Sequence, residues 1–349
     1  MFTVYAEKEI FENIILFNNE TPNWYKIFCN HSEVCLNMTD AELVAEEVPE
    51  TPIFEFIQAN GGRSPKALSQ YFAGIYADYS IISEQPRSAF FLNITDLEAN
   101  VIQSKFGVIV QGKNNIEDTI LKGSFFKDLT NDAVFENHLV KGWKHLVNFP
   151  LPPSNSMVIS DEYLFSNDED GLSIGKSNVI QLIDSFLPSN LSVPYHILIL
   201  GNDQPEERKA PRSEAWCMRI ATEIKTEVSA LRNYSVIIEV VFSETIHKRK
   251  LILNYLNATS DKGFSVFKVN DGKTVRDNND FRCDRLFNRI DPSEGDTDFV
   301  VAENILIQLK KKCASVKQFV GNAGQMTHNR ILGDCNPDFS LKNRLINDV

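Results

Sequence analysis

The sequence predicts an α/β protein of two domains, each a mixed or mostly parallel sheet flanked by helices. Three observations carry this. The 349 residues suffice for two domains of about 100–200 residues each. Apolar runs such as residues 195–200 (YHILIL) and 235–242 (SVIIEVVF) alternate with amphipathic segments such as residues 213–231, the rhythm of strand–helix–strand units. Residues 149–156 (FPLPPSNS) place three prolines in a polar setting, which marks a linker between domain 1–150 and domain 156–349.

In the first half, residues 1–5 read as a strand. Residues 8–17 read as a helix with Ile10, Ile14 and Phe17 on one side. Two segments echo each other, LNMTDAEL at 36–43 and LNITDLEA at 92–99. Each reads as a capping box, with Thr39 or Thr95 starting a helix and Glu42 or Glu98 reaching back. A sharper reading gathers Asp40, Glu42, Asp96, Glu98 and Asp118 around Mg²⁺. The strand–helix rhythm and residues 99–110 loosely resemble nucleases of the PIN type. The chain begins FTVYAEK, without the Asp of that family's first strand, so such a domain would be degenerate, and capping is the preferred reading. The Gly61-Gly62 turn leads to a helix over 65–76, and residues 114–147 read as largely helical.

In the second half, strand 157–165 leads to an acidic loop at 167–171. GLSIGKS at 171–177 is one residue short of a phosphate-binding loop and reads as a helix start. Helix 176–186 ends before Pro188, and the charged loop 206–212 precedes a helix that Ser213 caps. Trp216, Ile220, Ile224, Val228 and Leu231 form its inner face.

The chemistry concentrates in residues 245–267, TIHKRKLILNYLNATSDKGFSVF. If residues 246–254 are extended, His247, Arg249 and Leu251 share a face. An imidazole beside a guanidinium suits phosphate, the first as nucleophile or proton carrier and the second as a fork of donors. Lys248 and Lys250 complete four consecutive basic positions.

This stretch resembles the HxK-x4-D motif of the phospholipase D superfamily in a relaxed form, HxR-x4-N. The resemblance covers residues 156–349, and Gly263-Phe264 resembles the second strand of the hairpin in divergent members. It implies His247 as nucleophile or general acid/base, Arg249 as phosphate clamp and Asn254 as the orienting group. Lys248 and Lys250 would bind substrate, and no metal or cofactor would be needed. Asn in place of Asp weakens support for an imidazolium. A second motif is expected, and His328-Asn329-Arg330 is its candidate, adding His328 and Arg330 to substrate binding. Asp334 comes one residue early and Cys335 takes its place; about 80 residues between the motifs are too few for another half-domain. A homodimer would then bring two histidines together.

Two functions follow. One is a phosphodiesterase of nuclease type, acting on a phosphodiester or nucleic acid. The other is an inactive module of the same fold, a regulatory, sensor or binding subunit in a protein complex, of the kind found in bacterial defence or stress systems. A plain basic strand end is the third reading. The net charge of −12 counts against wholesale wrapping of nucleic acid but permits a local basic site. The N-terminus lacks a secretory pattern and no apolar run approaches the ~18 residues of a membrane helix. The expectation is a cytoplasmic protein without membrane insertion. Six cysteines at 29, 35, 217, 283, 313 and 335 contain no CxxC and read as reduced thiols. His196 reads as a core residue, His138 and His145 as one helix face, and His31 stands alone.

Overall fold

The computed structural model describes residues 1–129, 142–166, 168–169, 172–203, 212–243, 248–267, 279–325 and 329–349. Its first sheet joins β1 (Phe2–Ala6), β2 (Ser32–Leu36), β3 (Lys66–Ala67), β4 (Ser88–Phe91) and β5 (Ile109–Gln111) in the order β3-β2-β1-β4-β5, every pair parallel. Parallel neighbours need crossovers, made by α1 (Lys8–Leu16), α2 (Pro22–Lys26), α3 (Asp40–Glu46), α4 (Pro52–Ala59), α5 (Ser69–Ala77) and α6 (Asp96–Phe106). Both faces are therefore covered. Phe2, Val4 and Ala6 enter one core and Tyr5 the other.

Helix starts follow local chemistry. Thr39 and Glu42 form a full capping box, and the Thr95 hydroxyl accepts from Glu98 N. Asp96 accepts from Asn114 N and Asn115 N, both at 3.3 Å. Asp118 accepts from Asn23 N and Trp24 N, each at 3.0 Å, and so caps α2 from a distance. These carboxylates serve backbone donors. Among the described residues no group of three His, Cys, Asp or Glu could hold a metal.

The second sheet collects β6 (Ser124–Asp128), β7 (Ser156–Asp161), β10 (Tyr195–Gly201), β11 (Val236–Ser243), β12 (Lys250–Leu253), β13 (Leu256–Ser260), β14 (Asp280–Arg285) and β15 (Asn329–Gly333). Its order is β15-β11-β10-β7-β12-β13-β14-β6. β7, β10 and β11 are parallel, and every other pairing is antiparallel. The helices of this half are α7 (Trp143–Leu146), α8 (Ile174–Phe186), α9 (Glu214–Ser229), α10 (Asp298–Ala323) and α11 (Arg344–Asp348), with a minor ladder of β8 (Asp168–Glu169) and β9 (Leu172–Ser173).

α8 and α9 cover one face of this sheet, where Ile159, Ile197, Ile199, Val240 and Phe242 are buried. The other face, with Val158, Leu198, Leu200 and Val241, shares its core with α10 and with β1. Phe2 thus packs its ring 5.2 Å from Phe287 and 5.6 Å from Phe299. The Tyr255 hydroxyl, fully buried, donates to Ser88 O and accepts from Ile109 N at 3.0 Å. Residues more than a hundred positions apart thereby join the two sheets.

Several expected elements shift. The helix expected over 65–76 begins at Ser69, because Lys66–Ala67 pair with Cys35 and Leu36. Phe17 is the C-cap of α1 and 55% exposed, while Ile10 and Ile14 are buried. The region 114–147 is not largely helical in its described part. It contains β6, whose exposure alternates along SFFKD in the manner of an edge strand, and the single turn α7. β7 stops at Asp161, whose Oδ1 accepts from Tyr163 N at 2.9 Å and turns the chain. The second hairpin strand is β13; Gly263-Phe264 lie beyond it in a turn. The terminal helix is α11, and its Arg344 is buried against Glu84 (3.0 Å) and Pro194 O (2.7 Å). The six cysteines are free thiols, five of them buried. Among the described residues no helix is long and apolar enough to cross a membrane.

Candidate functional site

In open α/β sheets ligands bind outside the carboxyl ends of the parallel strands. β12 enters the second sheet at that edge. Lys250 stands opposite Ser160 on β7 and Thr259 on β13, and Thr259 stands opposite Arg282 on β14. Directly opposed side chains share a face at about 5 Å between Cβ atoms. Lys250, Ser160, Thr259 and Arg282 therefore form one cross-strand row, with the exposed Lys248 just before it.

The electrostatics of this row are unbalanced. Lys250 is half-buried and makes no ion pair among the described residues. Burial lowers its pKa, the Lys248 and Arg282 charges lower it further, and Asp284 and Asp298 only partly oppose them. Both acids are already engaged, Asp284 with Arg282 Nε at 2.7 Å and Asp298 with Arg289 at 2.6 Å. The Ser160 hydroxyl is buried without a hydrogen-bond partner among the described residues. Donors and positive charge converge here, an arrangement that suits the oxygens of a phosphate.

The other expected site residues fall elsewhere. Leu251 is fully buried in the core beneath α8 and α9, so alternation puts Arg249 on that side and Lys250 on the opposite one. The Arg249 guanidinium lies 5.2 Å over the Tyr163 ring and donates to Asp261 O. His247 lies outside the described residues, as do His328 and His138. Asn254 sits at the far end of β12, about 13 Å along the strand from Lys250. It is fully buried, accepting from Asn155 N (3.2 Å) and Ser156 N (3.1 Å) and donating to Gly107 O (3.2 Å) and Asn155 Oδ1 (3.1 Å). Its position makes it a structural tie between segments rather than an orienting group beside Arg249. Arg330 is on β15, four strands from β12, so about 19 Å separates the two backbones. Arg249 and Arg330 do not converge within one chain.

The shortened phosphate-loop lookalike is occupied by the protein itself. Lys176 N donates to Asp168 at 3.0 Å, and Gly175 N donates to the same carboxylate. Lys176 Nζ pairs with Glu223 (2.8 Å) and Glu227 (2.9 Å). Burial raises the Asp168 pKa to about 6. Of the remaining described histidines, His196 Nδ1 meets Lys342 O at 2.8 Å and His31 Nε2 meets Ile290 O at 3.0 Å, while His145 is exposed on α7.

Sequence reasoning missed Ser160, Thr259, Arg282 and Glu7. The first three join the site only through strand register. Glu7 follows β1 directly, where the family-type Asp was sought, and accepts from Asn37 Nδ2 at 3.0 Å and from the Tyr76 hydroxyl. The signal for Glu7 was its place after the first strand. No family model, curated protein or solved structure matches this chain.

Proposed function

We propose that the chain is a phospholipase D-like, phosphodiester-binding protein that holds nucleic acid at Lys248, Lys250 and Arg282. The observation that carries this reading is the half-buried Lys250 ammonium, without an ion pair among the described residues, beside two further cations and the orphan Ser160 hydroxyl. A phosphate would complete both the charge and the hydrogen bonding there. Phosphodiesterase chemistry at the same edge would rest on His247. Asn254 stands about 13 Å away along the strand and Arg249 is engaged by Tyr163 and Asp261, so binding is favoured over turnover.

Three cation–phosphate contacts give a log–log salt slope of about −2 for a single strand. With a labelled single-stranded oligonucleotide, Lys250→Gln is expected to flatten that slope by about 0.7 and to weaken binding roughly tenfold at low salt. An unchanged slope and affinity in Lys250→Gln would remove the proposal. Cleavage of the same oligonucleotide by wild type but not by His247→Ala, without added divalent metal, would convert the binding site into a catalytic one.

A further inference from the structure

A second feature lies on the opposite face of the same sheet, at its β15 edge. α9 and the edge strand β15 frame a groove of about 640 Å³, lined by Met218, Ala221, Thr222, Lys225, Leu332 and Gly333. That volume is in the range of small-molecule sites, roughly 300–1,000 Å³. One end is closed by the Lys225–Asp334 ion pair at 2.6 Å. Toward the other end stands Arg330, two residues before Leu332 on β15 and so on the same face, about 7 Å along the strand.

Arg330 is 3% exposed, and among the described residues its Nε and Nη1 have no hydrogen-bond partner. Phe242 is its cross-strand neighbour. Burial and the fully buried Asp203 carboxylate raise the pKa of the Cys217 thiol, next to groove-lining Met218 on α9, and the Arg330 charge opposes them. Arg212, another cation that acts on Cys217, is engaged: it donates to Ser166 O and Asp168 O and lies 4.3 Å over the Trp216 ring. Two buried guanidinium nitrogens without acceptors are unfavourable, and the oxygens of an anion would satisfy them. The groove beside it offers apolar walls at Met218, Ala221 and Leu332.

We propose that this groove binds a small organic anion, its carboxylate or phosphate head on Arg330 and a short apolar body along Met218, Ala221 and Leu332. The site is separate from the nucleic-acid row at Lys250 and does not depend on it. An anion bound only to the folded state raises the melting temperature in a saturable way.

The test is thermal unfolding of the full chain at constant ionic strength with hexyl phosphate, hexanoate, hexanol or inorganic phosphate. At least one hexyl anion is expected to raise Tm by about 2 °C or more, hexanol is expected to have no effect, and the more effective head assigns the ligand class. Arg330→Met should abolish the rise. Because it removes two buried donors that lack partners among the described residues, it should melt no lower than wild type in ligand-free buffer. Met218→Glu, at a 52% exposed position, should weaken the hexyl anions more than inorganic phosphate. Lys250→Gln should leave every response intact. A wild type that ignores both hexyl anions overturns the proposal, as does a response that survives Arg330→Met or is indifferent to Met218→Glu. An Arg330→Met protein that melts well below wild type would make the arginine a structural residue and also overturn it.

Discussion

Asn254→Ala is expected to cost about 3 kcal/mol of stability while leaving nucleic-acid binding at Lys250 unchanged. Truncation at this fully buried position strands Asn155 N, Ser156 N and Gly107 O together. Each buried group left without a partner costs about 1–3 kcal/mol, and a water entering the space recovers part of that. The loss should spread, because Asn155 also donates to Ser83 O (3.0 Å) and Phe106 O (2.8 Å). Asn254 and Asn155 together thus support the start of β7, the end of α6 and the short 3-10 helix Tyr79–Glu84 before β4. Asn254→Asp, the residue of the family motif, should also destabilise. It keeps the two backbone donors but sets a carboxylate oxygen against Gly107 O and Asn155 Oδ1. Urea unfolding measures both variants as a lower midpoint at constant slope. If Asn254 instead orients the phosphate site, Asn254→Ala will keep its midpoint and lose oligonucleotide binding, and the structural assignment fails.

The same residue shows where sequence reasoning reached its limit. Local signals were legible because their partners are three or four positions apart. Thr39, Thr95 and Ser213 all cap helices through the donor predicted by spacing. The alternation within residues 249–251 was also legible, but the direction of each face was not. It is set by Leu251, which enters the core beneath α8 and α9 and sends Lys250 to the other side. Spacing along the motif counted Asn254 as a neighbour of Arg249, although a strand carries a residue five positions on about 16 Å away. Ser160 and Arg282 join Lys250 only through pairing across β7, β13 and β14, and no local pattern announces that register. In residues 114–147, helix-like composition outweighed the short alternation of β6, whose partner β14 lies more than 150 residues later.

The second large effect concerns pH, where two buried groups hold the same segment with opposite signs. Glu239 on β11 accepts from Lys342 N (2.7 Å) and Asn343 N (3.0 Å), while His196 on β10 meets Lys342 O (2.8 Å). Burial lowers the His196 pKa to about 4, with Arg344 adding to the shift, against an unfolded value near 6.5. The folded state therefore binds fewer protons there, and stability falls as pH drops from about 6.5 to about 4. Burial raises the Glu239 pKa to about 7 from 4.5, despite the two backbone donors. The folded state binds more protons there, so this group adds stability as pH falls from about 7 to about 4.5. Each displacement corresponds to roughly 3 kcal/mol. Over the shared window the two contributions nearly cancel, and the wild-type profile should carry little slope from this pair. Glu239→Gln removes the opposing group, so its stability relative to wild type should fall by about 3 kcal/mol between pH 7 and pH 4.5. His196→Gln should do the reverse, gaining on wild type by a similar amount between pH 6.5 and pH 4. Because each variant is referred to wild type at the same pH, the other titrating groups drop out of the difference. Urea midpoints across pH 4–7.5 measure it, and profiles that run parallel to wild type would show that neither group is perturbed by its burial.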